Sequence, residues 1–257
     1  MIFMDLKERI SIATIILIIA LMVIGLYALT EINYYSYKNV VEPKDINASV
    51  VLIPSIGVQE RINNVSISQG VYIDEGSYVP TKGDVVLYGH RTLQGSPFLR
   101  LDALKKGDTA TIEWPGIGEV NYTVNDSKIV PASYDFNYNE KPKSADLNQQ
   151  RLFLITCNPI GSTAERLIVT ADYNSTNPLN QTIIEENPHA NYAWYFIFGF
   201  LALGLIVTYF TPKNERITIL IAVIAITLVL VYYCIFPVSS QVWADKVGWL
   251  NSLMGLS

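Results

Sequence analysis

Apolar and polar positions divide this chain into two kinds of segment. Residues 10–30, 191–210 and 217–236 are almost wholly apolar and carry no charged side chain. Each is close to the ~20 residues an α-helix needs to cross the hydrocarbon core of a bilayer. The first runs on into Glu31-Ile32-Asn33 with no small-residue cleavage site, which reads as an uncleaved anchor. Residues 31–190 have a different texture. Short β-branched or alternating runs at 49–53, 85–88, 109–114, 119–124, 126–130, 151–156 and 167–171 are separated by turn residues. Trp114-Pro115-Gly116-Ile117-Gly118, between two alternating runs, is a hairpin signal. Five to eight strands at this spacing predict a β-sandwich or small barrel.

Helical signal in that region is thin. The best candidate is 96–106, opened by Ser96-Pro97. Residues 131–150 form a long polar connection, of the kind that in a compact domain usually serves function. The expected organisation is an N-terminus at 1–9, a span at 10–30, a stalk at 31–48 and a β domain at 49–173. A linker follows at 174–190, then spans at 191–210 and 217–236 joined by the loop 211–216. The tail 237–257 places Trp243, Val247, Leu250 and Met254 on one helical face. It would lie along the membrane surface or pack on the β domain.

Composition fits this division. Of 257 residues, 50% are hydrophobic and 16% charged, against about 25% charged in a typical soluble domain. The net charge of −5 argues against nucleic acid, whose phosphates call for clustered Lys and Arg. Lys7 and Arg9 precede the first span, and Lys213 and Arg216 lie between the other two. Positive residues in short loops stay cytoplasmic, so both flanks place 31–190 outside the cell membrane. All the Asn-x-Ser/Thr sequons, beginning at Asn47, Asn64, Asn121, Asn125, Asn174 and Asn180, fall in that region.

Two Cys and two His exclude a disulfide scaffold and a Cys/His zinc cluster. Cys234 lies within an apolar span, which leaves Cys157 as the only thiol of the β domain. It ends the apolar run Leu152-Phe153-Leu154-Ile155-Thr156 and opens the turn Asn158-Pro159. Arg166 opens the next run. If the two runs pair as an antiparallel hairpin, Cys157 and Arg166 face each other across its mouth. A guanidinium there favours a thiolate and stabilises an oxyanion. His189 sits beside the second span; His90 follows the run 85–88 in Tyr88-Gly89-His90-Arg91. An imidazole near a thiol can take and return a proton during acyl transfer, and a protonated one would raise the thiolate fraction.

At these residues the sequence resembles the sortases, membrane-anchored cysteine transpeptidases of cell surfaces. Gly89-His90-Arg91-Thr92 resembles the family's His motif. Leu154-Ile155-Thr156-Cys157 resembles its Cys-bearing strand end, with Phe153 where a Thr is usual. Arg166-Leu167-Ile168-Val169 resembles its Arg-bearing strand. Similarity extends over roughly 49–173, including Ile53-Pro54-Ser55-Ile56-Gly57-Val58, Ser96-Pro97-Phe98, Leu101 and Lys106-Gly107-Asp108. The short Cys-to-Arg connection is most like class E and related housekeeping-type sortases. No aromatic-preceded Asp lid of the pilin-polymerising kind occurs in 31–48. The two C-terminal spans lie outside the resemblance.

The resemblance implies a mainly β fold: a closed barrel of about eight strands with one or two short helices, beside three transmembrane helices. It implies Cys157 as nucleophile, His90 as acid and base, and Arg166 as the group holding substrate backbone or oxyanion. The substrate would be a surface protein with a C-terminal sorting motif similar to Leu-Pro-x-Thr-Gly, and the acceptor an amine on the cell envelope. Thr156, Tyr134, Phe136 and Tyr138 are expected to contact substrate, the last three from the connection 131–150. Some sortases bind calcium near this groove, where Asp74, Glu75, Asp135 and Glu140 carry carboxylates; no metal or other cofactor is expected. Two alternatives stand beside this reading: a thiol protease using water as acceptor, and a non-catalytic β-module for surface assembly.

Overall fold

The computed structural model describes residues 11–40, 48–140, 150–179 and 189–254, with the side chains of Tyr138 and of 249–254 outside the described set. Its eight strands are β1 (Val50–Ile53), β2 (Val58–Asn63), β3 (Val71–Ile73), β4 (Val85–Tyr88), β5 (Thr109–Trp114), β6 (Gly118–Pro131), β7 (Arg151–Asn158) and β8 (Glu165–Asn177). They close a barrel in the order β1-β2-β3-β4-β7-β8-β6-β5. The β2–β3 and β4–β7 pairs are parallel, and the others are antiparallel.

Alternation along the strands fills the barrel. Val85, Leu87, Ala110, Ile112, Leu152, Leu154, Leu167 and Val169 belong to one buried core. Strand β7 is buried on both faces, because Val86, Phe153, Ile155 and Ile168 form a second cluster on its other side. That double burial is why its sequence reads as a continuous apolar run.

The expected runs 119–124 and 126–130 are one strand, β6. A register shift between Val124 and Asp126 leaves Asn125 as the extra residue of a bulge. β8 continues past 173 to Asn177, pairing with Glu119, so the linker begins later than the sequence predicts. The helix expected at 96–106 does not form. Gln94, Gly95 and Ser96 all have positive φ, which Ser96 could not adopt within a right-handed helix. The segment proceeds through three-residue turns to a 3-10 helix at Leu101–Ala103. Phe98, Leu101 and Leu104 are buried at the three-residue spacing of that winding.

The outer face of the β5–β6 hairpin holds two carboxylates directly opposite each other, Glu113 and Glu119. Glu113 is buried, and among the described residues neither of its oxygens has a hydrogen-bond partner. Burial, reinforced by the charge of Glu119, pushes its carboxyl up to about 7. A raised carboxyl holds its proton in the folded state while the unfolded chain has released it, so stability falls as pH rises from about 4.5 through 7. Glu113→Gln should therefore raise the barrel's melting temperature more at pH 8 than at pH 5. An equal gain at both pH values in scans of the detergent-solubilised chain would remove this explanation.

The apolar helices form a separate unit, of which residues 11–40 and 189–238 are described. They are α1 (Ile12–Val40), α3 (Tyr192–Phe210) and α4 (Arg216–Ile235); the intervening α2 (Phe136–Glu140) belongs to the barrel. All three are long and apolar enough to cross a membrane. Gly204 lets α3 approach α4 closely, since a Cβ there would lie 2.4 Å from Val223. The Glu215 carboxylate before α4 accepts hydrogen bonds from the hydroxyls of Ser11 (2.8 Å) and Thr14.

The predicted stalk at 31–48 is corrected for its first part: α1 continues through Glu31 to Val40. Those residues contain neither Gly nor Pro. Buried Asn33 donates to the Val238 carbonyl at 2.7 Å and accepts from its amide at 2.9 Å. Tyr35 packs against Tyr192 and Phe196. Residues 41–47 and 180–188, the rest of the stalk and most of the linker, lie outside the described residues, as does the N-terminal segment 1–9. The tail forms α5 (Ser240–Met254) within the barrel unit, against the 3-10 turn Ile67–Gln69, with Val247 buried. Leu250 and Met254 have side chains outside the described set.

Candidate active site

The three residues singled out by type converge on adjacent strand ends. β7 and β8 pair as an antiparallel hairpin with Cys157 opposite Arg166. β4 runs parallel to β7 with Tyr88 beside Ile155. The ladder continues one step beyond β4, because the Gly89 amide donates to the Ile155 carbonyl at 3.2 Å. Extended one further step beyond β4, that register would set His90 level with Cys157. Alternation puts Cys157 on the face of Phe153 and Ile155, Arg166 on that of Ile168, and His90 on that of Val86 and Tyr88. This face lies outside the barrel core.

Local packing fixes the His90 segment. A Cβ at Gly89 would lie 2.6 Å from the Phe98 ring, so only glycine lets Phe98 seat beneath it. The Phe98 amide donates to the His90 carbonyl at 3.0 Å. Burial lowers the His90 imidazole to about 4, because desolvation disfavours the charged form. Burial therefore favours the neutral imidazole at pH 7.

Cys157 is half-buried and carries a thiol, not a disulfide. Arg166 Nη1 donates to the carbonyls of Thr163 (2.9 Å) and Glu165 (3.0 Å). Among the described residues its remaining guanidinium nitrogens meet no protein acceptor. Tyr88 lies close to Arg166. Burial pushes its phenol up to about 12 with help from Asp74 and Tyr72, and Arg166 opposes the rise.

The residues expected to contact substrate separate. Thr156 is corrected: it is buried on the opposite face, and its hydroxyl donates to the Gly89 carbonyl at 2.7 Å. It ties β7 to the His90 segment and is turned away from the face of Cys157. Tyr134 and Phe136 do lie over the outer face, against Val86, Phe153, Ile155 and Ile168. The Phe136 ring meets Phe153 edge to face, 5.0 Å between centroids. Phe153, which stands where a Thr is usual, thus fills the floor under Phe136. Tyr138 is in α2, and its side chain lies outside the described set.

The carboxylates considered for calcium do not gather into a cluster of three or more metal-type side chains among the described residues. Glu140 instead accepts from Lys128 and Tyr134, which pins α2 to β6. Asp74 accepts from the Gly76 amide at 2.9 Å.

Sequence reasoning gave no role to Arg91, quoted only as part of the His motif. It is 2% exposed and bonded to Asp102, Asn158 and two main-chain carbonyls. A buried arginine in a loop has no periodicity to betray it; adjacency to His90 was the one available signal.

Fold and site together define a thiol-bearing β-barrel domain carried in one chain with helices of membrane-spanning length. The chain belongs to the sortase family: the sequence profile described as a sortase domain matches residues 41–174, just over half of its length. No curated protein matches it. Among solved structures it is similar to sortase C-1 from Actinomyces oris, at 28% identity and a TM-score of 0.45, over 55% of this chain and 81% of that one. It is also similar to sortase A from Corynebacterium diphtheriae, at 24% identity and a TM-score of 0.44, over 52% of this chain and 64% of that one, just under two thirds. A Listeria monocytogenes sortase A is 20% identical over 54% of this chain and 94% of that one, with a TM-score of 0.44.

Proposed function

We propose that this chain is a membrane-anchored transpeptidase that cleaves a Leu-Pro-x-Thr-Gly-like sorting motif and transfers the acyl part to an amine on the cell envelope. The observation that carries the reading is the placement of His90, Cys157 and Arg166 on one outer face at three neighbouring strand ends. The apolar helices hold the domain at the membrane where its substrates emerge. Basic residues flanking the first span and between the other two support a cytoplasmic N-terminus and a barrel outside.

Cys157 Sγ attacks the carbonyl carbon of the motif's Thr–Gly bond, and neutral His90 takes the thiol proton. Arg166 donates to the carbonyl oxygen as it gains negative charge. The resulting imidazolium protonates the departing amine, so the C–N bond breaks and a thioester remains on Cys157. An acceptor amine, relieved of its proton by His90, then attacks the thioester. Tyr134 and Phe136 line the groove beside the apolar residues of the motif.

The test is incubation of the detergent-solubilised chain with Leu-Pro-x-Thr-Gly and Leu-Ala-x-Thr-Gly peptides and a small amine, with products identified by mass spectrometry. A new amide to the added amine is expected. Cleavage that yields only the free acid would make the chain a thiol protease, and no cleavage of any motif peptide would favour a non-catalytic module. The pH dependence follows from His90. Because burial keeps it neutral down to about pH 4, kcat/KM should hold from neutral pH to near 5 and fall toward 4. An acid limb at the ordinary histidine value of 6.5 would contradict this.

A further inference from the structure

A line of polar contacts runs beneath the three reactive residues. Arg91 Nη2 pairs with Asp102 Oδ2 at 2.6 Å. Its Nη1 donates to Asn158 Oδ1 at 2.7 Å and approaches the Cys157 carbonyl at 3.5 Å, while Nε donates to the Leu99 carbonyl at 3.3 Å. Asn158 Nδ2 then donates to Glu165 Oε2 at 2.7 Å across the hairpin mouth. Each linked residue is the chain neighbour of a reactive one: Arg91 of His90, Asn158 of Cys157, Glu165 of Arg166. Neighbours along an extended strand point to opposite faces. The network therefore ties the three segments together through the residues next to the reactive ones.

We propose that Arg91, acting through Asn158 and Glu165, is the positioning residue that sets His90, Cys157 and Arg166 in register. The inference rests on the proposed transpeptidase reading. A guanidinium is suited to the task because its planar fork holds several acceptors at once in fixed directions, whereas an ammonium is a single point charge. Burying such a charge is costly unless it is paired and fully hydrogen-bonded, which the Asp102 carboxylate and three further acceptors supply. The amide of Asn158 is the hinge of the arrangement. It accepts from Arg91 through its oxygen and donates to Glu165 through its nitrogen.

Three variants of the full chain in detergent test this. Asn158→Ala cuts the line in the middle while the Arg91–Asp102 pair remains, so the buried charge stays neutralised. Arg91→Lys keeps the charge and loses the fork. Glu165→Gln keeps an acceptor for Asn158 and serves as the conservative control. Displacing a reacting group by about 1 Å can cost on the order of 100-fold. Accordingly, Asn158→Ala and Arg91→Lys should each lower kcat about 10- to 100-fold with KM within about twofold, and Glu165→Gln should stay near wild type.

The second readout needs no substrate. His90 and His189 are the only histidines, so imidazole NMR can follow His90, assigned with His189→Gln. Loosening its segment admits water, and its titration midpoint should rise from about 4 toward the ordinary value of 6.5. Unchanged kcat and an unchanged His90 midpoint in both Asn158→Ala and Arg91→Lys would overturn the proposal. If the wild-type chain processes no peptide at all, the transpeptidase reading fails, while the NMR comparison still decides whether the network positions His90.

Discussion

Replacing Cys157 with alanine is expected to remove all detectable substrate processing while leaving the barrel folded. The two outcomes are separable because of where the side chain sits. Cys157 is half-buried on the outer face at the end of β7, outside the packed core. Removing its sulfur leaves no cavity among Leu152, Leu154, Leu167 and Val169. The strand that carries it is held by main-chain pairing to β4 and β8 and by the Thr156 hydroxyl on Gly89, none of which involves Sγ. The thermal transition of the variant should match that of the wild type. The chemistry has no substitute: among the described residues the other thiol, Cys234, is buried in α4. Processing at the wild-type rate by Cys157→Ala would dismiss both the transpeptidase and the protease readings.

His90→Ala should lower kcat by roughly 100- to 10,000-fold, the usual contribution of a positioned acid–base group. Burial favours the neutral form of His90, the form able to accept a proton. In the proposed reaction the imidazole takes the proton of Cys157 and passes it to the leaving amine. Without the imidazole, the thiol has to ionise to solvent, and the leaving amine departs unprotonated. The loss should fall on kcat, since the imidazole acts on atoms that change charge during reaction. Steady-state kinetics of the variant check this; a change confined to KM would make His90 a binding group instead. The same burial has a stability consequence. A histidine lowered to about 4 in the folded state takes up its proton more readily when unfolded, so its contribution is complete above about 6.5 and is lost as pH falls toward 4.

Parts of the fold were readable from residue order because local pattern and tertiary role coincide. The β7–β8 hairpin is the clearest case. Its apolar run, its Pro-containing turn and the next apolar run specify both strands and the Cys157–Arg166 pairing. The membrane-length helices were equally plain. Closure of the barrel was implied by the family resemblance and not by local pattern. β2 has only Val58 and Ile62 as apolar positions and β3 is three residues long, so neither announces itself although both complete the ring. The segment after His90 misled because Ser96-Pro97 resembles a helix start while the positive φ of Ser96 forbids one. Thr156 looked like a substrate contact from its place beside Cys157; alternation turns it to the other face. The Arg91 network was invisible because its partners are 11, 67 and 74 residues away from it in the chain, and nothing local marks them.

The central claim is that Cys157 forms a thioester with the acyl half of a cleaved sorting motif. The most direct measurement is mass spectrometry of the Cys157-containing fragment after brief incubation with a Leu-Pro-x-Thr-Gly peptide and no added amine. The account predicts an adduct on Cys157 equal in mass to the acyl half, discharged by hydroxylamine and absent from Cys157→Ala. Cleavage of the peptide by the wild-type chain with no adduct at Cys157, or with an adduct on another residue, would contradict it.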